Sequence, residues 1–187
     1  MKSFYVLFLT VLCFDGVTFG DTIPSGATAV LKVASDLAKC EYREGSNNAT
    51  AFGEWYGLPN QPWCAMFVSW CFNEQGLSKL VAAQSEKGFA SCAIGLRWFK
   101  QNKQLVPIEE ACAGDIVFYR FSNKDGKTHH VGIVAENHPT KDPKQSYLRC
   151  YEGNTSSDSK GSQRDGDGVY LKLRSYSLVM AIARPKY

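Results

Sequence analysis

The sequence predicts an α+β domain in which helices come first and an antiparallel sheet follows. The chain has 187 residues, 44% of them apolar, which suits a single packed domain. Apolar residues recur at helical spacing up to about residue 102, and the period changes to that of strands from about residue 115. This segregation is typical of α+β folds, since α/β folds alternate helices and strands along the chain.

The first twenty residues are typical of a signal peptide. Lys2 supplies a positive start, residues 4–12 form an apolar run, and Thr18 and Gly20 are small residues at −3 and −1 of a cleavage site. The run is too short to span a bilayer with its flanks, although a membrane anchor is the alternative. We therefore expect a signal peptide at residues 1–20, a catalytic domain at residues 21–187, and a secreted, extracellular protein.

Three helices are predicted in the first part of the mature chain. The first covers about residues 27–42 and the third about residues 90–102. The second begins at Pro62, because proline is well suited to a first helical position, and ends before Gly76, a C′ residue. Cys64 then falls in its first turn.

Alternating apolar and polar residues predict strands in the rest of the chain. Polar, glycine-containing turns separate several of these segments, and neither an internal repeat nor a second domain is evident. About five antiparallel strands are expected, at residues 115–121, 130–135, 146–152, 169–175 and 178–183.

Six cysteines remain after the predicted signal peptide. An oxidising compartment would favour three disulfide bonds. If one cysteine must stay a free thiolate, at most two bonds form, and the pairing cannot be deduced from the spacing. The six are Cys40, Cys64, Cys71, Cys92, Cys112 and Cys150.

The net charge of +3 slightly favours anionic surfaces such as bacterial walls. It is too small to predict nucleic-acid binding, and no basic stripe with interleaved aromatic residues is present. No other segment is long and apolar enough to span a membrane. The sequence therefore predicts a protein that binds neither nucleic acid nor membrane.

Cys64 is the candidate nucleophile. A reactive cysteine needs a stabilised thiolate, and the free N–H groups and dipole of a helix N-terminus favour negative charge. The alternative is a small buried apolar residue on an apolar helix. Cys71 lies seven residues further along, in mid-helix, where the dipole does not help, so that alternative fits Cys71 better.

A cysteine nucleophile also needs a base and a group that orients the base. His129 and His130 begin a predicted strand and face opposite sides of it, so periodicity does not choose between them, whereas His138 lies in a polar loop. Glu152 ends another strand and could accept a hydrogen bond from the far ring nitrogen. Asn154, two residues on, could support Glu152 or the substrate.

These residues lie in four stretches that together resemble the CHAP family, the cysteine, histidine-dependent amidohydrolases and peptidases. The stretches cover most of the mature chain in the order of the family. They are GLPNQPWCAMFVSWCFNEQG at 57–76, AGDIVFY at 113–119, HHVGIVAEN at 129–137 and YEGNTS at 151–156.

The resemblance implies a papain-like or NlpC/P60-like α+β fold with N-terminal helices packed on the sheet. It implies Cys64 as nucleophile and selects His130 over His129 as the general base. Glu152 would orient His130, with Asn154 beside it. Gln61 is a candidate oxyanion donor, with a capping or loop role as the alternative.

Aromatic residues near the nucleophile are candidates for the wall of a substrate cleft. Trp63 is the first of them, and Trp55 and Tyr56 are others. All three could equally be core residues. Wall recognition would rest on this cleft, because no added wall-binding domain is evident.

No metal and no cofactor are expected. Some CHAP enzymes bind calcium through an acidic run ahead of the nucleophile. The corresponding residues 41–57 lack that pattern, since their acidic residues are only Glu41, Glu44 and Glu54. Asp165 and Asp167 alternate with glycine and fit paired turns. Asn48 and Asn154 begin glycosylation acceptor sequences. Asn154 should be unmodified, because a sugar there would crowd the site.

The expected function is hydrolysis of amide bonds in bacterial peptidoglycan by a secreted, monomeric cysteine amidase or endopeptidase. One alternative keeps the chemistry but changes the substrate to another peptide or amide. Another is a wall-binding protein with an inactive site. The source of the protein, a bacterium or a eukaryote that acts on bacteria, stays open.

Overall fold

The computed structural model describes residues 23–122, 126–157 and 161–187. The predicted signal peptide at residues 1–20 lies outside these ranges. Within them, the chain forms helices first and a continuous antiparallel sheet afterwards, as the change of period predicted.

Four α-helices lie in the described residues, one more than predicted. The additional helix, α2, has six residues, too few to show helical periodicity. Its cap is clear, since the Thr50 hydroxyl accepts a hydrogen bond from the Gly53 N–H at 3.0 Å. The helices are α1 (Ser25–Lys39), α2 (Ala51–Tyr56), α3 (Cys64–Asn73) and α4 (Cys92–Gln101), with 3₁₀ turns at Ser46–Asn48, Ser78–Val81, Ile108–Glu110 and Tyr176–Leu178.

The sheet has six strands in the order β1-β6-β2-β3-β4-β5, all antiparallel. The prediction of about five strands is therefore wrong by one. The missed strand, β1, has two residues, which cannot display alternation. The strands are β1 (Leu105–Val106), β2 (Ile116–Tyr119), β3 (His130–His138), β4 (Tyr147–Thr155), β5 (Gly168–Ser175) and β6 (Val179–Ala183).

Both faces of the sheet are covered by apolar side chains. Along β2, Ile116 and Phe118 belong to a large core shared with the helices, and Val117 and Tyr119 belong to a smaller cluster. Helix α3 lies in the large core, where it packs against β3 and β4. Strands β3 and β4 carry the predicted histidine and glutamate, so this packing positions the site.

Helix α3 begins two residues later than predicted. Trp63 is its N-cap residue and Cys64 its first helical residue, so Pro62 lies outside the helix. The indole of Trp63 is anchored elsewhere, since its N–H donates to Glu44 Oε2 at 2.5 Å. The predicted end is confirmed. Gly76 has a left-handed φ of 67°, and the Leu77 N–H bonds the Phe72 carbonyl at 2.9 Å.

The expected disulfide bonds are absent from the described residues, in which all six cysteines are free. Cys71 and Cys150 are buried in separate hydrophobic clusters, which keeps these two thiols apart. Among the helices described, none has the length and apolar character needed to cross a membrane.

Candidate active site

Cys64 occupies the first position of α3 and is 6% exposed. The N–H groups of a first helical turn have no acceptor within the helix, and they carry the positive end of its dipole. The Ala65 N–H is directed at the Cys64 sulfur and lowers the pKa of this thiol. Cys64 therefore lies in the first turn of the helix, two residues nearer its start than the predicted boundary implied.

His130 and Glu152 form a fully buried pair at the start of β3 and near the end of β4. The imidazole Nε2 lies 3.1 Å from Glu152 Oε2. The other ring nitrogen, Nδ1, is buried without a hydrogen-bond partner among the described residues. Nδ1 is therefore the ring nitrogen that can exchange a proton with Cys64, whose charge interacts with the His130 ring.

Arg174 on β5 is a positioning residue that the sequence analysis missed. Its Nε donates to Glu152 Oε1 at 2.9 Å and its Nη2 donates to Oε2 at 2.5 Å. The guanidinium carbon lies 5.7 Å and 5.2 Å from the ring centres of Tyr119 and Phe121, which also flank His130. This bidentate donor fixes both carboxylate oxygens, so Arg174 sets the orientation of Glu152 toward the imidazole.

The sequence pattern of β5 could have indicated Arg174. On an ordinary half-buried strand the apolar side chain faces inward and the charged one outward. In β5 the order is reversed, since Leu173 is 64% exposed and Arg174 is 4% exposed. A charged residue on the inward register of a strand is a searchable pattern, because it is stable only with a buried partner.

The site holds two pairs of opposite charges. Burial raises the pKa of Glu152, but hydrogen bonds from Arg174 and His130 outweigh it and lower that pKa to about 2. Burial lowers the pKa of His130, but Cys64 and Glu152 outweigh it and raise that pKa to about 9. The pKa of Cys64 is held well below its usual value, first by a hydrogen bond from Cys92 and then by His130. These shifts favour the charged form of each group, that is, a thiolate paired with an imidazolium and a carboxylate paired with a guanidinium.

Two glycines permit this packing, and both lie in the sequence stretches quoted above. A Cβ on Gly132 would stand 2.7 Å from the Glu152 side chain and 2.9 Å from the Tyr151 carbonyl. A Cβ on Gly153 would stand 2.6 Å from Trp63 and 2.7 Å from Phe67. Gly132 therefore makes room for Glu152, and Gly153 lets β4 approach α3.

Asn154 does not hydrogen-bond His130 or Glu152. It lies on a bulge, where the pairing of β4 with β5 shifts between Glu152 and Thr155, and its φ is 59°. The bulge removes the simple alternation that would have put Asn154 on the side of Glu152. Both amide atoms of Asn154 are buried without a partner among the described residues, so a role toward the substrate stays a proposal.

The structure places Gln61 and Trp63 differently. Gln61 is exposed and lines a cavity of about 460 Å³ together with Pro62 and Met66, which flank Cys64 in the chain. Trp63 is completely buried and stacks on Phe52, with ring centres 5.3 Å apart. The expectation that Trp63 contacts substrate is therefore not supported, and the alternative of a core residue is.

Cys92 is the second residue that the sequence analysis missed. It is the first residue of α4, and its sulfur lies 3.7 Å from that of Cys64. The hydrogen bond to Cys64, followed by burial, raises the pKa of Cys92 well above its usual value, so Cys92 is the protonated partner. The two cysteines are 28 positions apart in the chain, and nothing in the sequence indicated that they meet.

The arrangement suits nucleophilic attack on a carbonyl group. It combines a thiolate, an imidazolium that can protonate a leaving group, and a carboxylate that orients the ring. In the described part of the chain, no group of three or more histidine, cysteine or acidic residues is placed to hold a metal ion.

Comparison with known proteins agrees with this geometry. A model of the CHAP domain matches residues 55–154, which is more than half of the chain and includes Cys64, His130 and Glu152, whereas Arg174 lies beyond the match. No curated protein that was compared matches the chain. The matched domain is generally an amidase or peptidase, which is the chemistry that the buried array suits. The chain belongs to the CHAP family.

Proposed function

We propose that the protein is a secreted cysteine amidase or endopeptidase that hydrolyses amide bonds of bacterial peptidoglycan. The observation that carries the proposal is the buried array of Cys64, His130 and Glu152, in which His130 Nε2 lies 3.1 Å from Glu152. CHAP domains often act on peptidoglycan, which supports this substrate.

The reaction would proceed by acyl transfer. The Cys64 thiolate attacks an amide carbonyl, and the oxyanion is stabilised by free N–H groups of the first turn of α3. Gln61 is a further candidate donor. His130 gives a proton to the leaving amine, and then as a neutral base it activates the water that hydrolyses the thioester. Glu152, held by Arg174, keeps the His130 ring in place throughout.

The cavity lined by Gln61 and Met66, which are chain neighbours of Cys64, would suit an uncharged segment of substrate. Its lining includes the apolar side chains of Leu58, Pro59 and Met66 and the amides of Gln61 and Gln84, and none of its lining residues is charged. A stem peptide offers neutral amides and small apolar side chains to such a surface. The net charge of +3 would assist approach to an anionic wall.

The direct test is digestion of purified peptidoglycan by wild-type protein, Cys64→Ala and a matched control, Cys112→Ala. Cys112 is an exposed thiol, so its loss leaves the site intact. Wild-type protein and Cys112→Ala should release soluble fragments, and Cys64→Ala should release none while remaining folded. Fragment release by Cys64→Ala would place the nucleophile elsewhere.

Mass spectrometry of the products identifies the bond. New amino termini at L-alanine indicate cleavage next to N-acetylmuramic acid, and termini within the stem or cross-bridge indicate an endopeptidase. A parallel digest of casein separates wall hydrolysis from general peptidase activity. Casein cleavage with intact walls would favour the alternative of a non-wall substrate.

Secretion is part of the proposal and rests on residues 1–20. Expression of the full chain in a secretion-competent host, with amino-terminal sequencing of the protein in the medium, tests it. We expect a mature chain that begins near Asp21. Retention of Met1 in cell-associated protein would contradict the signal peptide.

A further inference from the structure

We propose that Cys64 and Cys92 form a reversible disulfide when the protein meets a peroxide, which makes Cys92 the resolving thiol of the nucleophile. The two sulfurs are 3.7 Å apart, and no other contact between cysteine sulfurs occurs in the residues that the structure describes. The disulfide itself does not depend on the substrate, whereas its effect on activity rests on the proposed function.

Hydrogen bonds to α3 hold the segment that carries Cys92. The Ser69 hydroxyl donates to the Phe89 carbonyl at 2.8 Å and accepts from the Phe89 N–H at 2.9 Å. A Cβ on Gly88 would stand 2.4 Å from the same hydroxyl oxygen, so only glycine allows this approach. The segment before Cys92 is therefore fixed on the helix that carries Cys64.

A second brace lies between Phe89 and Cys92. The Gln84 side-chain carbonyl accepts from the N–H groups of Ala90 at 3.1 Å and Ser91 at 3.2 Å, and Ser91 caps α4. Each cysteine is thus the first residue of a helix whose start is held in place. Bond formation requires the sulfurs to close by about 1.7 Å, to the usual S–S length of about 2.0 Å.

The other four cysteines are placed for no such reaction. Cys71 and Cys150 are fully buried in separate clusters. Cys40 and Cys112 are exposed, and their thiols donate to the backbone carbonyls of Leu37 and Glu110. Oxidation should therefore be selective for the pair at the site.

The chemistry balances in two steps. The Cys64 thiolate attacks one oxygen of hydrogen peroxide, the O–O bond breaks, and sulfenic acid and hydroxide form. The Cys92 sulfur then attacks the Cys64 sulfur, the S–O bond breaks, and the departing hydroxide takes the Cys92 proton to give water. The hydroxide of the first step takes up the proton that Cys64 released on ionising and becomes the second water. Two thiols thus lose two electrons in total, and one peroxide becomes two waters.

Reduction restores the nucleophile. A thiolate of an external dithiol attacks the disulfide, and its second thiol completes the exchange, so the dithiol leaves oxidised and both cysteines are regenerated. Without a resolving thiol, sulfenic acid proceeds to sulfinic and sulfonic acids, which thiols do not reduce. Cys92 would therefore protect Cys64 while switching it off.

The test treats the full chain with hydrogen peroxide, blocks free thiols at low pH with N-ethylmaleimide, and maps peptides by mass spectrometry. The variants are Cys92→Ala, Cys92→Ser and the control Cys112→Ala. Wild-type protein and Cys112→Ala should yield a peptide that joins Cys64 to Cys92. Dithiothreitol should remove this link and restore wall hydrolysis.

In both Cys92 variants, peroxide should instead convert Cys64 to sulfinic and sulfonic acids. The activity recovered after dithiothreitol should then be at least about tenfold lower than for wild-type protein. Absence of the Cys64–Cys92 peptide in oxidised wild-type protein overturns the proposal, and so does full recovery of a Cys92 variant.

The peptide map is independent of any substrate. If wild-type protein fails to digest walls yet forms the linked peptide, the proposed function fails and the redox proposal stands. Circular dichroism checks the fold of each Cys92 variant, and the wild-type map decides alone if neither variant folds.

Discussion

Helix α3 carries two cysteines in contrasting states, Cys64 in its first turn and Cys71 seven residues later. Both are buried, with 6% and 0% of their surfaces exposed. The pKa of Cys64 is held well below its usual value, and burial raises the pKa of Cys71 well above it. Burial alone therefore does not set the ionisation of these thiols.

The difference lies in what surrounds each sulfur. Cys64 has a hydrogen bond from Cys92, the charge of His130 and the N–H groups of a helix end. Cys71 lies in mid-helix within the large core, where burial raises its pKa. The negative charge of Glu74 raises the pKa of Cys71 further. Reactivity in this helix is thus conferred by partners from α4 and β3, and removal of partners should make Cys64 resemble Cys71.

The largest effect is expected for His130→Ala, which removes the main charged partner. Loss of a positioned acid and base costs about 10²–10⁴-fold in rate, so kcat/KM for wall hydrolysis should fall by that amount. The pKa of Cys64 should rise at the same time, because the imidazolium lowers it. The rate of iodoacetamide alkylation against pH measures this rise.

His129→Ala is the matched control, since this neighbour precedes β3 and its ring is bonded elsewhere. Its Nδ1 accepts a hydrogen bond from the Phe121 N–H at 3.3 Å and does not belong to the array. Equal losses in the two variants would contradict the assignment of His130 as the base.

The second effect is expected for Arg174→Met, which leaves the buried Glu152 carboxylate without its cationic partner. Removing one partner of a buried ion pair costs about 3–5 kcal/mol, and urea unfolding should show a loss of free energy of this size. Arg174→Lys keeps the charge but loses the two-pronged geometry, so it should recover only part of the stability.

A positioning role for Arg174 also predicts a kinetic change. Because Glu152 raises the pKa of His130, a misplaced carboxylate should move the basic limb of the kcat/KM profile to lower pH in Arg174→Lys. A purely structural arginine would leave this limb where it is in wild-type protein. An unchanged profile would therefore limit Arg174 to stability.

The sequence predicted those members of the array whose place in a helix or strand, or in a family motif, pointed to a catalytic role. Cys64 was marked by the start of a helix, and His130 and Glu152 by the ends of strands and by the family resemblance. Arg174 and Cys92 were missed because their partners lie 22 and 28 residues away, and only folding brings them together. A hydrogen bond from Asn154 to Glu152, one of the two expected roles, does not form, because a bulge that the sequence does not reveal breaks the alternation.

The same reasoning explains the errors in the fold. Long elements such as α1 and β3 were predicted because periodicity needs several turns or pairs to show. The six residues of α2 and the two of β1 are too short for that. The start of α3 was misplaced because Trp63 is held by Glu44 and Phe52, distant contacts that outweigh the preference of Pro62 for a first helical position.

A third effect is a difference between two pH profiles of Cys64. Protonation of the thiolate lowers both alkylation and kcat/KM at acid pH. Above pH 9, His130 loses its proton, because its pKa is raised to about 9, and the leaving amine has no acid. We expect kcat/KM to fall about tenfold per pH unit there, while alkylation stays high.

Glu152→Gln sharpens this third test. The carboxylate raises the pKa of His130, so its neutral replacement should shift the basic limb below pH 9 without abolishing alkylation. If kcat/KM stayed constant through pH 10 in wild-type protein, the imidazolium could not be the acid for the leaving group.

The smallest effect is expected at Cys71, the other half of the comparison. Cys71→Ser puts a hydroxyl in the large core, and burying a polar group without a partner costs about 1–3 kcal/mol in proteins. The free energy of unfolding should fall within that range, and kcat/KM should stay within about twofold of wild type, since Cys71 does not touch the site. Cys71→Ala separates the hydroxyl from the loss of sulfur.

Labelling with iodoacetamide completes the contrast. In native protein Cys64 should react near neutral pH, whereas Cys71 should react only after unfolding, because it is fully buried and its pKa is raised. If Cys71 reacted as fast as Cys64, the environment of the helix start would not be what activates the nucleophile. Alkylation is measured without substrate. In that case the preference for Cys64 over Cys71 in catalysis would have to arise from substrate binding.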